Sequence, residues 1–362
     1  MTKMMKVYVM QQPQQLAFVD HPIPELEDGC VLLKSQRVSI CSTDVGYYRG
    51  HLFPPQWPII PGHEYVGEVV ESKLSNNQVK VGDKVVYWGQ TDFGGLAEYR
   101  VIKPLFPGTR LENPWFTERY FADDACAAAV VLDNDAPLEE ASLIEPVTSV
   151  LRSLLCNPPM PGDDVIVLGA GPCGLIALQL LKNWHGVHSV TVLDKNPYRL
   201  KVASNLGADY IYNVETEPTG LERLIADSRG SYAQYVFDAL PDITDSKDIP
   251  NTRTVAMKLL TPGGTYVVYG ATEVEQHIDT WLILSKGLKL RATAFDVRHF
   301  PMWKTADILI AAKNIVSRQM ISLAPIISNV AGFYSPDSVK IAFAEHAMNN
   351  RLKTMVSFDS SK

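Results

Sequence analysis

Asp164-Val165-Ile166-Val167-Leu168-Gly169-Ala170-Gly171-Pro172-Cys173-Gly174 decides how the second half of this chain folds. An apolar, strand-length run ends in glycine, and a helical stretch, LIALQLLKNW, follows. A turn that cradles phosphate needs this order. Gly169 permits the tight bend, Gly171 lets the backbone approach a pyrophosphate, and Gly174 lets helix and strand pack closely. Pro172 and Cys173 stand at the helix N-terminus, whose free N–H groups face an anion. Asp194 follows Gly174 by twenty residues and closes the apolar run VTVL. A carboxylate there takes the ribose hydroxyls of an NAD-type cofactor and repels a 2′-phosphate. Lys195 and Arg199 are basic neighbours able to host that phosphate, so NADP remains the alternative to NAD.

Working outward, buried-strand runs alternate with helical patterns: SVTVLDKN, then RLKVASNLGA, then YIYN, YAQYVFDAL, TYVVYGA and LKLRATAF. That alternation predicts parallel βαβ units. Before PMPGDD (159–164) the texture differs. KVYVM, VLLKSQRVSI, EYVGEVVES, KVVYW and LAEYRVI are short β-like pieces broken by Gly and Pro, as in a small barrel or sandwich. From about residue 298 two helical stretches and a closing strand, KTMVSF, fit a return to the first domain. About two dozen residues at 105–128, with Trp115, Phe116, Tyr120 and Phe121, form an insert: a surface loop packed on its own aromatics, or a lid or partner surface.

At 362 residues the chain exceeds one typical domain. With 46% hydrophobic and 20% charged residues it is neither disordered nor membrane-like. A net charge of −7 argues against nucleic-acid binding, which needs a basic face. No apolar run reaches a membrane span, and the N-terminus lacks the core of a signal peptide. Five scattered cysteines, with no Cys-x-x-Cys pair, give neither a disulfide framework nor a compact zinc knuckle. A reducing, cytoplasmic setting is expected.

Catalytic zinc takes three protein ligands and keeps an open position. Cys41 offers a thiolate, His63 an imidazole, and Glu64 or Glu145 a carboxylate. Singly each has an ordinary reading: a small core cysteine, a turn histidine, a carboxylate favoured by a helix N-terminus. Together, ICSTD (40–44), PGHEYVGEVVE (61–71), VGDKV (81–85), GGLAEY (94–99), IEP (144–146), the glycine turn and LKTMVSF stand in the order found in the zinc-dependent medium-chain dehydrogenases/reductases. The chain resembles that family over nearly its whole length. The glutamate of IEP resembles the sorbitol, glucose and threonine dehydrogenase branch.

The resemblance implies an α/β protein with two domains. One is a GroES-like β-rich catalytic domain over 1–155, completed by 298–362. The other is a Rossmann domain with a doubly wound parallel sheet over 156–297. It implies one catalytic zinc at Cys41, His63 and Glu64, with Glu145 as a further carboxylate bound directly or through water. Thr43 would relay the substrate proton, a task a hydroxyl suits because it both donates and accepts, and Asp44 would support the metal site. The relay histidine of other branches is absent at Gly46. The four-cysteine lobe of a second, structural zinc is absent too. Tyr47 matches an aromatic beside the metal. Arg298 and His299, ahead of Trp303, match a polyol-branch arrangement in which Arg298 donates to further substrate hydroxyls.

The expected activity is hydride transfer between NAD and a secondary alcohol: a polyol, sugar or cyclitol. A homodimer or homotetramer is expected, with a small alcohol or carbonyl compound as its only other partner. Two other readings compete. One is a zinc-free quinone or enoyl reductase on the same fold, and the other a nucleotide-binding relative that has lost its chemistry.

Overall fold

The computed structural model describes residues 3–54, 56–75, 78–89, 94–107, 126–241, 251–270, 275–293, 302–346, 348 and 350–359. By contacts the chain divides into two units: Met1–Ser149 with Ala294–Gln319 and Ile327–Lys362, and Val150–Thr293 with Met320–Ile326. The helix Ile144–Cys156 carries the chain across the first boundary. Met320–Ile326 belongs with the second unit, away from its sequence neighbours. The side-chain amide of Gln179 exchanges hydrogen bonds with the backbone of Ser322, and Asn183 donates to the Met320 carbonyl.

The second unit holds a six-stranded sheet in the order Tyr210–Asn213, Ser189–Asp194, Asp164–Leu168, Ala233–Asp238, Leu260–Val268, Lys289–Ala292. Every pairing in it is parallel. Numbered within the unit, the order is 3-2-1-4-5-6, the doubly wound arrangement of a Rossmann domain. Its direction reverses between Asp164–Leu168 and Ala233–Asp238, so a crevice opens at their C-terminal ends, beside the glycine turn. Both strands are buried on both faces, which is why they read as continuous Val, Ile and Phe.

The first unit is built on a seven-stranded sheet. Strand Val31–Ser39 pairs along one side with Glu64–Ser72. On its other side, Val31–Lys34 pair with the strand Tyr99–Leu105, and Arg37–Ser39 with Lys353–Ser357. Bulges at Leu32/Leu33 and Ser35/Arg37 supply the bend that such a double engagement needs. The pairing with Tyr99–Leu105 closes five strands into a ring around Tyr8, Leu33, Tyr65, Val85, Tyr87 and Phe333. Closure also removes the open edges that would invite aggregation.

Two sequence expectations change. Residues 126–128, assigned above to the insert, begin the strand Cys126–Val131. An alanine run has high helix propensity, but here Ala127, Ala128 and Ala129 are fully buried and their backbone pairs with the strands on either side. The helix after the glycine turn runs as an α-helix only over Pro172–Leu180, then widens to a π segment, Leu181–His185. Residues 108–125 of the insert lie outside the described residues. No described helix is long and apolar enough to cross a membrane.

Candidate active site

Three strand ends of the first unit meet in one place. Ser39, near the end of its strand, pairs with Glu64, the first residue of the next. Met355, two residues after Lys353, pairs with Ser39 as well. Cys41 follows and caps the helix Ser42–Arg49. Register therefore delivers Cys41, His63–Glu64 and Lys353 to the same end of the barrel.

Ligand atoms of Cys41, His63 and Glu64 all lie within 4.8 Å of one another. Asp44, 1% exposed, braces two of the segments: one carboxylate oxygen accepts from the Cys41 N–H at 3.0 Å, the other from the Gly62 N–H at 2.9 Å. The same carboxylate stands 3.7 Å from His63 Nδ1. Gly62 has φ +95°, and a Cβ there would press on Val38 at 2.9 Å and on the Leu96 nitrogen at 3.1 Å. Only glycine presents His63 in this way. Burial disfavours a charged His63, yet Cys41 and Asp44 outweigh it and raise its pKa well above the usual range.

Glu64 is 1% exposed. Its Oε1 accepts from Lys353 Nζ in a buried ion pair. Its Oε2 is buried with no protein partner among the described residues. An orphaned carboxylate oxygen beside a thiol and an imidazole is the donor set that a zinc ion completes. Lys353 escaped the sequence reading. The available signal was a lysine opening the closing strand Lys353–Ser357, all five residues of which are buried, because a fully buried lysine needs a partner.

Glu145 stands outside the three-residue cluster. Its Oε1 accepts from Ser149 Oγ at 3.4 Å, and that oxygen accepts in turn from Trp88 Nε1 at 2.6 Å. Burial and the Glu64 charge push its carboxyl up to about 7, against the pull of His63 and Lys353. Thr43 Oγ1 lies 3.8 Å from Cys41 Sγ. Tyr47, on the same helix, is half-buried against the barrel core. Arg298 and His299 lie outside the described residues, as does the side chain of Trp303.

At the glycine turn of the second unit, Gly169 has φ +88°, and Gly171 caps the helix with Pro172 in its first turn. A Cβ on Gly174 would sit 1.8 Å from the Gly169 carbonyl oxygen, so no other residue fits. A Cβ on Gly171 would meet nothing within 4 Å: it would project into the open space that a pyrophosphate needs. Cys173 Sγ accepts from the Tyr269 hydroxyl at 3.7 Å. Asp194, 6% exposed, accepts from the Ala170 N–H and from the Asn196 N–H, both at 2.7 Å. It thus holds the glycine turn as well as ending its strand, with lone pairs left on each oxygen. Lys195 is exposed, 3.9 Å from Glu215. The Arg199 N–H donates to the Asn196 side chain, the cap of the helix Pro197–Asn205.

Residues 27–106 match the family described as alcohol dehydrogenase GroES-like domain, and residues 172–311 match zinc-binding dehydrogenase. Among curated relatives, D-arabitol-phosphate dehydrogenase of Enterococcus avium is 29% identical over 66% of this chain and 70% of its own length. L-threonine 3-dehydrogenase of Pectobacterium atrosepticum is 26% identical, covering 90% and 87%. Among solved structures, galactitol-1-phosphate dehydrogenase from Escherichia coli superposes with a TM-score of 0.77 at 22% identity, over 98% of this chain and 100% of that one. The chain belongs to the zinc-type medium-chain dehydrogenases and is an oxidoreductase of the alcohol dehydrogenase type.

Proposed function

We propose that this protein oxidises a secondary alcohol of a polyol, sugar or cyclitol with NAD, or reduces the matching carbonyl, using one zinc per chain. The observation that carries the reading is the convergence of Cys41, His63 and Glu64, whose Oε2 has no partner among the described residues. Relatives support the substrate class. By their names they act on arabitol phosphate, threonine and butanediol, all secondary alcohols with a second polar group nearby. A related structure holds NADH and another NADP, so the preference for NAD rests on Asp194.

Cys41, His63 and Glu64 would hold the zinc, with Glu145 as a reserve carboxylate. Bound there, zinc supplies Lewis acidity toward an alcohol or carbonyl oxygen, and the nicotinamide supplies hydride chemistry. Thr43 would relay the alcohol O–H proton, accepting it while passing its own hydroxyl proton on to water. Asp44 fixes Cys41 and Gly62, so the ligands keep their spacing. Lys353 neutralises Glu64, which keeps the pocket from carrying excess negative charge before a zinc is bound. Gly171 and the helix that it opens receive the pyrophosphate, and Asp194 the ribose. Arg298 and His299 are proposed contacts to the substrate's further hydroxyls. The exposed edge strand Lys289–Ala292 offers a surface for the homodimer or homotetramer.

The test is metal analysis of protein purified without added zinc, followed by polyols, cyclitols, sugars and simple alcohols scored by NADH absorbance. The expected result is one zinc per chain and turnover confined to polyhydroxylated substrates. Two tightly bound zincs would refute the single site. Full activity in zinc-free protein on activated C=C bonds would favour the quinone or enoyl reductase reading.

A further inference from the structure

Beside the glycine turn lies a buried ion pair that the chemistry above does not use. Asp238 ends the strand Ala233–Asp238, in register with Leu168, the last residue before the turn. It is fully buried, and Arg253, on the helix Thr252–Leu259, is 3% exposed. Asp238 Oδ2 accepts from Arg253 Nε at 2.7 Å and from the Tyr266 hydroxyl at 2.9 Å, while Oδ1 accepts from the Leu240 N–H at 3.0 Å. The rest of the guanidinium reaches the chain just beyond. Arg253 Nη2 donates to the carbonyls of Leu240 at 3.2 Å and Pro241 at 2.9 Å, and Nη1 donates to Gln276 Oε1 at 2.6 Å.

The segment held in this way abuts the cofactor turn. The Ala239 N–H donates to the Leu168 carbonyl at 2.9 Å. A Cβ on Gly169 would lie 3.0 Å from Leu240 Cδ2, and one on Gly270 would lie 1.8 Å from the Leu240 oxygen. Leu240 thus packs against two glycines, close enough to Gly169 that a side chain there would press on it. A buried ion pair is a poor way to gain stability alone, since apolar residues of similar volume do as well or better. A guanidinium differs in holding several acceptors at once in a fixed plane. Here it fixes a carboxylate and two successive carbonyls at the switch point of the sheet.

We propose that Arg253 is a positioning residue for the dinucleotide site: clamped on Asp238, it sets the 239–241 segment that packs against Gly169. This rests on the glycine turn being the cofactor site. The test compares Arg253→Lys and Arg253→Met with Lys286→Met, a variant elsewhere in the same unit that loses bonds to the Gly230, Lys258 and Leu260 carbonyls. NADH affinity by fluorescence, KM and kcat for NAD, zinc content and thermal midpoint are measured on each. Arg253→Lys keeps the charge but loses the fork. NADH should bind about tenfold more weakly to it, with KM rising more than kcat falls and zinc content unchanged. Arg253→Met should be weaker still, and Lys286→Met should lower the midpoint while leaving NADH affinity alone. Wild-type NADH affinity in folded Arg253→Lys would overturn the proposal, even if Arg253→Met fails to fold. Wild-type protein that binds neither NADH nor NADPH would overturn it together with the assignment of the turn.

Discussion

In the metal pocket, charge is carried by side chains drawn from residues 41, 44, 63, 64, 145 and 353, of which Asp44, Glu64, Glu145 and Lys353 are buried, and they shift or neutralise one another. At the glycine turn the working groups are backbone N–H groups and space, gathered from one strand, one turn and one helix, with Asp194 as the chief charged side chain. The first arrangement exists only once distant strands have paired. The second is nearly complete within thirty-one residues of continuous chain, 164–194. Removing one pocket member therefore strands a buried charge, whereas changing the turn alters fit and leaves little charge behind.

The largest effect should come from Cys41→Ser or His63→Ala. Either should lower kcat/KM about a thousandfold or more by removing zinc, since Lewis acidity contributes several kcal/mol. NADH affinity should stay within a few-fold, because the glycine turn belongs to the other unit. Loss of NADH binding in a folded variant would break the division between the two regions.

Next in size is Lys353→Met. With its cation gone, Glu64 in metal-free protein is a buried carboxylate that has lost its bonded counter-ion, a defect of about 3–5 kcal/mol. Thermal unfolding should show a large drop in midpoint without zinc and a smaller one with it. An unchanged midpoint in metal-free protein would show that the pair contributes little.

Asp194→Ala should raise KM for NAD about tenfold, the scale of lost charged hydrogen bonds, and relax discrimination against NADP, with Lys195 and Arg199 then able to receive the phosphate. If the kcat/KM ratio for the two cofactors does not move, Asp194 serves only to hold Ala170 and Asn196.

The smallest effect sharpens the contrast between buried and half-exposed pairs. Asp209 is bonded to Lys182 at 2.7 Å at the edge of the parallel sheet. Partial burial raises its pKa, but the Lys182 and Val190 hydrogen bonds outweigh this and lower it. A depressed carboxylate pKa stabilises the fold above the unfolded value near 4 and loses that contribution as pH falls through the folded value. Asp209→Asn should therefore cost up to about 1 kcal/mol at pH 7, and the difference from wild type should vanish in acid. A pH-independent difference would assign the effect to packing.

Much of the fold was legible because its signals are local. The runs at 164–168, 189–194 and 233–238 are apolar on both faces, as a parallel sheet demands, and each formed a strand. The strand Cys126–Val131 was not legible. Alanine favours a helix in isolation, and pairing with the strands Lys84–Trp88 and Tyr99–Leu105, far away in sequence, makes it a strand here. Gln15–Pro22 also went unread, since much of it is exposed and its pairing with Met4–Gln12 is set by a tight turn.

The sequence by itself determined the glycine turn, because phosphate recognition through backbone depends on residues a few positions apart, whose conformational limits are written in their identities. It also supplied the donor types Cys41, His63, Glu64 and Glu145. Only the tertiary structure decided which of them stand together, that Asp44 braces two of them, and that Lys353 neutralises Glu64 across 289 residues of chain. The reason is that Coulombic and hydrogen-bonding partners are chosen by distance in space, and burial multiplies the strength of that choice. Sequence spacing carries no record of either until the strands are in register.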